Sequence, residues 1–313
     1  MKIRPTLMLA IVAALAACSN DAPSSDVATT AAPPAEVAPM AAPVVAADPI
    51  DAILAGSHRS DENKARDQYR HPKETLAFFG IQPNMTVIEI TPGGGAWYTE
   101  ILAPYLRDAG TEVAAIWDTT AADAPGYYKK NNEQLAAKLA SDPAYYDRVA
   151  LRTFDTKAPA FGDADSADAV VTFRNVHNWT MDGNDGDYFK AFYSVLKPGG
   201  VLGVVEHRAN PGTTLEATKE TGYLTEDYVI GLATAAGFVL EEKSEINANP
   251  KDTKDHPEGV WTLPPSFALK DKDREKYAAI GESDRMTLRF RKPSEGADGE
   301  APADAATAPP AGG

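Results

Sequence analysis

An ordered series of acids and glycines stands out in the first half of the chain. Glu89 lies near the end of a short apolar run, Gly93–Gly95 follow it, and Asp118 and Asp155 close two later apolar runs. Glycines let backbone N–H groups come close to a ligand at the start of a helix. Asp118 stands 23–25 residues beyond the glycines, where an acid commonly accepts hydrogen bonds from ribose hydroxyls. The series predicts a nucleotide-like ligand, with Asp155 placed to contact an adenine amino group.

A second group of candidate residues lies in "RNVHNW" (Arg174–Trp179) and in "EH" (Glu206 and His207). His177 is a candidate general base, because the ordinary pKa of histidine lies near neutral pH. Asn175 is a candidate for orienting a substrate, and Trp179 for contacting a cationic group with its ring face. We expect Glu206 and His207 to line the substrate pocket. A competing interpretation of His177 is that it packs in the core or begins a helix.

Apolar runs typical of buried strands alternate with helical patterns along the chain. Five runs predict strands, at Thr86–Ile90, Glu112–Asp118, Val149–Asp155, Ala167–Val176 and Val201–Arg208. The helix before the fifth run is expected to end at "PGG" (198–200), and Thr225 is expected to begin a later helix. "VLEEKSEI" and "RMTLRFRKP" predict two further strands. This alternation predicts an α/β fold with a doubly wound, mostly parallel sheet, whose ligand binds at the carboxyl ends of the strands.

The polar segment His58–Pro72 precedes the first strand. It predicts either a lid that directs Tyr69, Arg70 and His71 into the site or a solvated amphipathic helix. The five histidines and the single cysteine show none of the spacings that are typical of a structural metal site, so no metal is predicted. The glycine turn lacks a following Gly-Lys-Ser/Thr, which argues against a nucleotide triphosphatase.

Over nearly the whole folded unit, the series resembles the class I S-adenosylmethionine-dependent methyltransferases. "VLKPGGVLGVVEH", "LTEDYVIGLATAAGFVLEE" and "MTLRFRKP" are similar to their fifth strand, sixth unit and final antiparallel strand. The stretch from "RDQYRHPKETLAFFG" to "GGGAWYTEILAPYL", together with "RNVHNW", more narrowly resembles a family of exported bacterial proteins described as methyltransferases. The resemblance implies a seven-stranded Rossmann-like fold with S-adenosylmethionine as cofactor.

The resemblance also implies roles for particular residues. The cofactor is expected to contact a set of strand-end and turn residues, namely Glu89, Thr91, Gly93, Gly94, Gly95, Asp118, Asp155 and Arg174. The methyl acceptor is expected beside Tyr69, Trp179, Glu206 and His207, with His177 and Asn175 as catalytic residues. The chain departs from the family at Thr91, which stands where the glycine series acid-x-Gly-x-Gly-x-Gly has its first glycine.

The ends of the chain differ in composition from its centre. Residues 1–17 carry a basic start and an apolar stretch that is too short to span a bilayer, which predicts a signal peptide. "LAAC" resembles the lipobox of bacterial lipoproteins, so Cys18 is expected to carry lipid, and Ser19 to direct the protein to the outer membrane on its periplasmic side. An Ala/Pro-rich tether (18–49) and a similar tail (294–313) are expected to flank a methyltransferase-like domain (50–293).

The composition also limits the partners. The formal net charge is −15 and the pI about 4.8, which opposes binding to nucleic-acid phosphates. The first functional hypothesis is methyl transfer to a small molecule or an envelope component, with membrane contact through the lipid anchor only. A second is an inactive, lipid-anchored scaffold on a methyltransferase fold, because S-adenosylmethionine is made in the cytoplasm. A third is an NAD-dependent oxidoreductase, against which the absence of Gly-x-Gly-x-x-Gly counts.

Overall fold

The predicted apolar runs form the strands of one sheet in the computed structural model, which describes residues 48–294. The seven strands are β1 (Thr86–Ile90), β2 (Thr111–Trp117), β3 (Ala150–Phe154), β4 (Ala167–Phe173), β5 (Leu196–His207), β6 (Val239–Ser244) and β7 (Arg285–Arg291). Their order is β3-β2-β1-β4-β5-β7-β6. Strand β7 is antiparallel to β5 and β6, whereas the other ladders are parallel. The predicted doubly wound α/β fold with an antiparallel last strand is confirmed.

Helices connect the strands. They are α1 (Pro49–Ala55), α2 (Asp61–Lys64), α3 (Asp67–Arg70), α4 (Pro72–Phe78), α5 (Thr99–Leu106), α6 (Gly126–Ser141), α7 (Pro143–Tyr146), α8 (Val176–Asp182), α9 (Asp185–Val195), α10 (Leu215–Thr218), α11 (Glu226–Ala235) and α12 (Arg274–Ile280), with short 3₁₀ turns at Lys219–Thr221 and Gly259–Thr262. Among the described residues, no helix combines the length and the apolar character that crossing a membrane requires. The predicted signal peptide, Cys18 and most of the tether and tail lie outside the described residues.

The central strand β1 is buried on both faces, which is why its sequence is a nearly continuous apolar run. Ile88 and Ile90 belong to a core cluster with side chains of α9 and α11. Val87 points to the other face and belongs to a second cluster, which includes Leu76 of α4 and Ile101 of α5. Helices therefore cover the sheet on both sides.

The direction of winding changes between β1 and β4. From β1 the chain passes through α5 to β2 and β3 on one side, and then returns to β4 on the other. In an open α/β sheet, this reversal leaves a crevice at the carboxyl ends of the two central strands, where ligands bind.

Three element boundaries differ from the sequence-based expectation. Helix α9 ends at Val195 rather than at "PGG", because Leu196 already pairs with Ala167 as the start of β5. Residues 197–200 then form a bulge before Val201 pairs with Ala169. Strand β4 ends at Phe173, and Val176, predicted as its last residue, begins α8 instead. The polar segment before β1 forms the two one-turn helices α2 and α3 instead of one longer helix.

Thr225 begins α11 as predicted, since its side chain accepts a hydrogen bond from the Tyr228 N–H.

Candidate active site

A cavity of about 560 Å³ lies at the carboxyl ends of β1 and β4 and at the start of β7, a volume typical of small-molecule sites. Many residues predicted from the sequence line it: Glu89, Thr91, Gly93, Gly94, Gly95, Arg174, Asn175, His177, Trp179 and His207. The acid–glycine series and the "RNVHNW" segment, which are separated by about 80 residues of sequence, thus meet in one cavity.

The glycine turn forms one wall of this cavity. Thr91 has a φ angle of 47° and Gly93 one of 72°, so Thr91 adopts the left-handed conformation that glycine reaches without steric cost. The Thr91 Oγ1 atom is buried and has no hydrogen-bond partner among the described residues. A hydroxyl group in this condition is a candidate ligand contact.

The backbone of the glycine turn packs against α6 at Gly94 and faces open space at Gly95. The Gly94 N–H donates to Asn131 Oδ1 of α6 at 2.8 Å, and a Cβ atom at Gly94 would lie 2.2 Å from the Gln134 side chain. A Cβ atom at Gly95 would meet no atom within 4 Å. The turn is therefore fixed against α6 while its backbone remains accessible at Gly95.

Glu89 lies at the end of β1 as one member of a buried pair of acids. Its carboxylate accepts a 2.7 Å hydrogen bond from Thr99 Oγ1, and burial raises the pKa of Glu89 to about 7. The second member, Glu112 of β2, points to the same face because Val87 pairs with Glu112 and Glu89 with Ala114. Burial, together with the neighbouring Glu89, raises the pKa of Glu112 well above its usual range.

The two acids of this pair differ in access to the cavity. Glu89 lines the cavity, whereas Glu112 is buried and does not. The Glu112 oxygens accept no hydrogen bond from any donor among residues 48–294, so the two carboxyl groups interact favourably only when they share a proton.

Asp118 and Asp155 lie outside the main cavity. Both line a second cavity of about 150 Å³, and Tyr128 lines both cavities. The Tyr128 ring stacks on that of Trp117 with 4.6 Å between the centroids. Asp118 accepts a 2.8 Å hydrogen bond from the Thr120 N–H, which lowers the pKa of Asp118. The predicted ribose and adenine contacts are thus close to each other but are not part of the larger cavity.

His177 is held in place by the buried carboxylate of Glu206. Its Nδ1 atom lies 2.9 Å from Glu206 Oε1, and Glu206 also accepts hydrogen bonds from the backbone N–H groups of His177 and His207. Glu206 is fully buried and does not line the cavity. It therefore supports His177 from behind rather than contacting a substrate directly.

His207 completes this cluster. Its Nδ1 atom lies 2.5 Å from Ser283 Oγ, and its ring centroid is 5.2 Å from that of His177. Burial, followed by the charges of nearby histidine and arginine side chains, lowers the pKa of His207 well below its usual range. His207 is consequently neutral at physiological pH and lines the cavity beside His177.

Asn175 and Trp179 contact the cavity but also have structural partners. The Asn175 amide donates to the Ile90 carbonyl at 3.0 Å and to Thr172 Oγ1 at 3.2 Å, so it joins the ends of β1 and β4. The Trp179 ring stacks on Tyr188 with 4.2 Å between the centroids. Tyr69 is not among the cavity-lining residues; it contacts the backbone at Gly281 instead.

A cluster of arginines in the cavity was not predicted as a group from the sequence. Arg66, Arg70, Arg174 and Arg285 line the cavity around Glu282. The Glu282 carboxylate lies 2.6 Å from Arg66 Nε and 3.1 Å from Arg70 Nε, and it also contacts Arg285. One signal was available in the sequence: Arg285 begins the last strand, and an antiparallel strand starts at the edge where its parallel neighbour ends.

Three residues of the histidine cluster are also close enough together to hold a metal ion. Ligand atoms of His177, Glu206 and His207 all lie within 4.8 Å of one another. The predicted absence of a metal relied on spacing within one stretch of chain, which does not detect residues contributed by both α8 and β5. The positive arginine cluster next to His207 opposes a bound cation.

Comparisons with known proteins give the fold and no closer relationship. No protein-family model matches the sequence, and neither does any curated protein. An inferred sarcosine dimethylglycine methyltransferase from Galdieria sulphuraria is 14% identical, with a TM-score of 0.50, over 79% of this chain and 90% of that chain. An S-adenosylmethionine-dependent methyltransferase from Aquifex aeolicus is 13% identical, with a TM-score of 0.46, over 73% and 93% of the two chains. The Galdieria structure supports the methyltransferase fold that the strand order defines.

Proposed function

We propose that this protein transfers a methyl group from S-adenosylmethionine to an acceptor that binds beside His177. One observation supports the proposal above all: a single cavity on a methyltransferase fold joins the glycine turn and Glu89 to the His177–Glu206 pair. The first of these groups suits the cofactor and the second suits proton removal from an acceptor.

The residues on the β1 side of the cavity fit the cofactor. The backbone is open at Gly95, the Thr91 hydroxyl is buried without a partner, and Glu89 presents a carboxyl group. These groups would hold the amino-acid and ribose portions, while Asp118 and Asp155 in the adjoining smaller cavity would hold the ribose and adenine. When bound, S-adenosylmethionine would supply an electrophilic methyl group on a sulfonium, whose carbon–sulfur bond breaks to give a neutral thioether as the acceptor lone pair bonds to the methyl carbon.

His177 acts as the general base in this proposal. Glu206 Oε1 accepts a hydrogen bond from the Nδ1–H group of His177, which fixes the tautomer and leaves Nε2 free to take a proton from an acceptor hydroxyl or amine. Most of the acceleration comes from alignment of the reactants, since positioning alone contributes roughly 7–11 kcal/mol in well-oriented systems. Trp179 and Asn175 shape the walls of the acceptor site.

The experiment that tests the cofactor site uses the two acids of the buried pair. The unmodified full-length protein, Glu89→Gln and Glu112→Gln are titrated calorimetrically with S-adenosylhomocysteine, which lacks the transferable methyl group. Glu112→Gln is a matched control, because it makes the same change in the same pair at a position that does not line the cavity. We expect Glu89→Gln to weaken binding by about tenfold or more, the loss of one hydrogen bond to a charged group, and Glu112→Gln to leave the affinity within about threefold.

The contrary outcomes are equally distinct. If the unmodified protein is folded and shows no binding at millimolar ligand, the proposed activity is wrong and the anchored-scaffold hypothesis takes its place. If both variants lose binding to the same extent, the cofactor does not contact Glu89 directly.

A further inference from the structure

The arginine cluster, defined as Arg66, Arg70, Arg174 and Arg285, carries more positive charge than the protein neutralises. Within residues 48–294, Glu282 is the carboxylate that forms ion pairs with all four guanidinium groups. Four positive charges and one negative charge leave a formal excess of three. The whole chain has a net charge of −15, so this excess runs against the overall composition.

The cluster is desolvated, which makes the excess costly. Arg70 and Arg285 are about 2% exposed, and the Arg285 Nε atom is buried without a hydrogen-bond partner among the described residues. Burial and the neighbouring arginines lower the pKa of Arg70, and they lower the pKa of Arg174 to about 10. Burial opposes ionisation of Glu282, but the guanidinium groups outweigh it and lower the pKa of the carboxyl group. An additional anion would relieve this repulsion.

The cluster also has more hydrogen-bond donors than one carboxylate satisfies. Each guanidinium group carries five N–H donors in a planar fork that matches a phosphate or a carboxylate, whereas a carboxylate has about four acceptor positions. Arg66 and Arg174 retain 21% and 25% exposed side chains and line the cavity. They are therefore accessible to a ligand in it.

The position of Arg285 relates the cluster to the acceptor side of the cavity. Arg285 starts β7 and pairs in register with His207, and β7 lies three strands from β1 in the sheet, a separation of about 14 Å. Arg174 follows β4, the neighbour of β1, so the cluster extends from the histidines toward the middle of the cavity. Ser283, the hydrogen-bond partner of His207, stands between Glu282 and Arg285 in sequence. Val260, Trp261 and Pro264 add apolar surface to this part of the cavity.

We propose that the methyl acceptor carries an anionic group, a phosphate or a carboxylate, which the arginine cluster binds so that the group to be methylated lies against His177. This inference rests on the proposed function, since it names the chemical class of the acceptor for the same site. The anionic group is a recognition element and remains unchanged. It binds with charge-assisted, bidentate hydrogen bonds, which are about twice as strong as neutral ones.

The test uses calorimetry with three probes that share a ring: phenyl phosphate, benzoate and uncharged phenol. Each is titrated into the full-length protein, first alone and then with saturating S-adenosylhomocysteine. The double variant Arg66→Gln/Arg174→Gln leaves Arg70 and Arg285 to pair with Glu282. Arg107→Gln is the control, because Arg107 is similarly exposed (28%) and forms an ion pair with Asp147 outside the cavity.

We expect at least one anion to bind with and without S-adenosylhomocysteine, phenol not to bind, and the double variant to bind the anion about tenfold more weakly or worse. The preferred anion distinguishes a phosphate-bearing from a carboxylate-bearing acceptor. The proposal is overturned if neither anion binds, if phenol binds as tightly as the anions, or if Arg107→Gln weakens anion binding as much as the double variant does. It is also overturned if saturating S-adenosylhomocysteine displaces the anion and the double variant weakens the binding of both ligands equally. The arginines would then bind the carboxylate of the cofactor. Failure of S-adenosylhomocysteine to bind would instead count against the proposed function, whatever the anion does.

Discussion

At the scale of single residues, the site depends on side chains held in unfavourable states. Glu89 is a buried acid whose pKa is raised to about 7, and Thr91 is a β-branched residue with a positive φ angle. Both residues line the same part of the cavity. Strained backbone and perturbed pKa values tend to cluster at functional sites, which agrees with the proposed role of this wall.

The raised pKa of Glu89 predicts that cofactor affinity depends on pH. The ionised carboxylate is the form that only accepts hydrogen bonds, so S-adenosylhomocysteine should bind more tightly as pH rises through about 7. From pH 6 to pH 8 the ionised fraction rises about tenfold for a group with this pKa, and we expect a similar gain in affinity. Calorimetric titration at both values of pH checks this. An equally steep dependence in Glu89→Gln would assign the effect to another group.

The raised pKa of Glu112 affects the stability of the fold. A carboxyl group whose pKa is raised by folding destabilises the folded state once pH exceeds its unfolded pKa, and the cost is complete above the folded pKa. Glu112→Gln should therefore raise the free energy of unfolding at pH 8, by about 1–3 kcal/mol, and less at pH 5. Urea denaturation at the two pH values measures the difference. A gain that does not change with pH would show that folding does not shift the pKa of Glu112.

The left-handed conformation of Thr91 predicts a stabilising substitution. Backbone strain of this kind costs about 1–3 kcal/mol, whereas the added flexibility of glycine costs about 0.5–1 kcal/mol. We expect Thr91→Gly to raise the free energy of unfolding by about 1 kcal/mol. Thr119→Gly is the matched control, since Thr119 also follows a strand but has no positive φ angle, and it should destabilise slightly. A loss of stability in Thr91→Gly would show that its hydroxyl has a structural partner.

At the scale of helices and strands, the sequence predicts most of the architecture because most elements have a recognisable local sequence pattern. β1 is a continuous apolar run since both of its faces are covered, and α11 begins at Thr225 since that side chain caps it. The end of α9 was less predictable. It depends on Leu196 pairing with Ala167, a contact across the sheet that has no signal in the local sequence.

Packing between elements predicts opposite effects for two glycines. A Cβ atom at Gly203 of β5 would lie 2.6 Å from the Phe79 ring, whereas one at Gly231 of α11 would meet nothing within 4 Å. Gly203→Ala should destabilise the fold by about 1–3 kcal/mol. Gly231→Ala should stabilise it by about 0.5–1 kcal/mol, because alanine is the better helix former. Thermal unfolding of both variants checks the pair, and a neutral Gly203→Ala would mean that α4 moves easily away from the sheet.

At the scale of the whole molecule, the candidate site combines what one stretch of sequence reveals with what only the fold brings together. The acid–glycine series and His177 were predictable, because strand ends and glycine turns are visible locally. The arginine cluster was not, since Arg66 and Glu282 are separated by 216 positions. The Glu89–Glu112 pair likewise depends on the register between β1 and β2.

The predicted lipid anchor is a further whole-molecule proposal, and it concerns residues outside those described. If Cys18 carries lipid, the protein should sediment with membranes after cell fractionation, and Cys18→Ala should move it to the soluble fraction. A second variant, Ser19→Asp, tests the predicted outer-membrane destination, and we expect it to be lost from the outer-membrane fraction. Unchanged sedimentation of Cys18→Ala would contradict the anchor.

The most direct test of the central claim is the position of S-adenosylhomocysteine in a crystal structure of its complex with this protein. We predict that the ligand extends from the 560 Å³ cavity into the adjoining smaller one. Its amino-acid portion should lie against the backbone of Gly93–Gly95 with its sulfur facing His177, and its ribose and adenine should lie beside Asp118 and Asp155. A cavity without ligand at a saturating concentration, or a ligand bound elsewhere, would contradict the assignment of this cavity as a methyltransferase site.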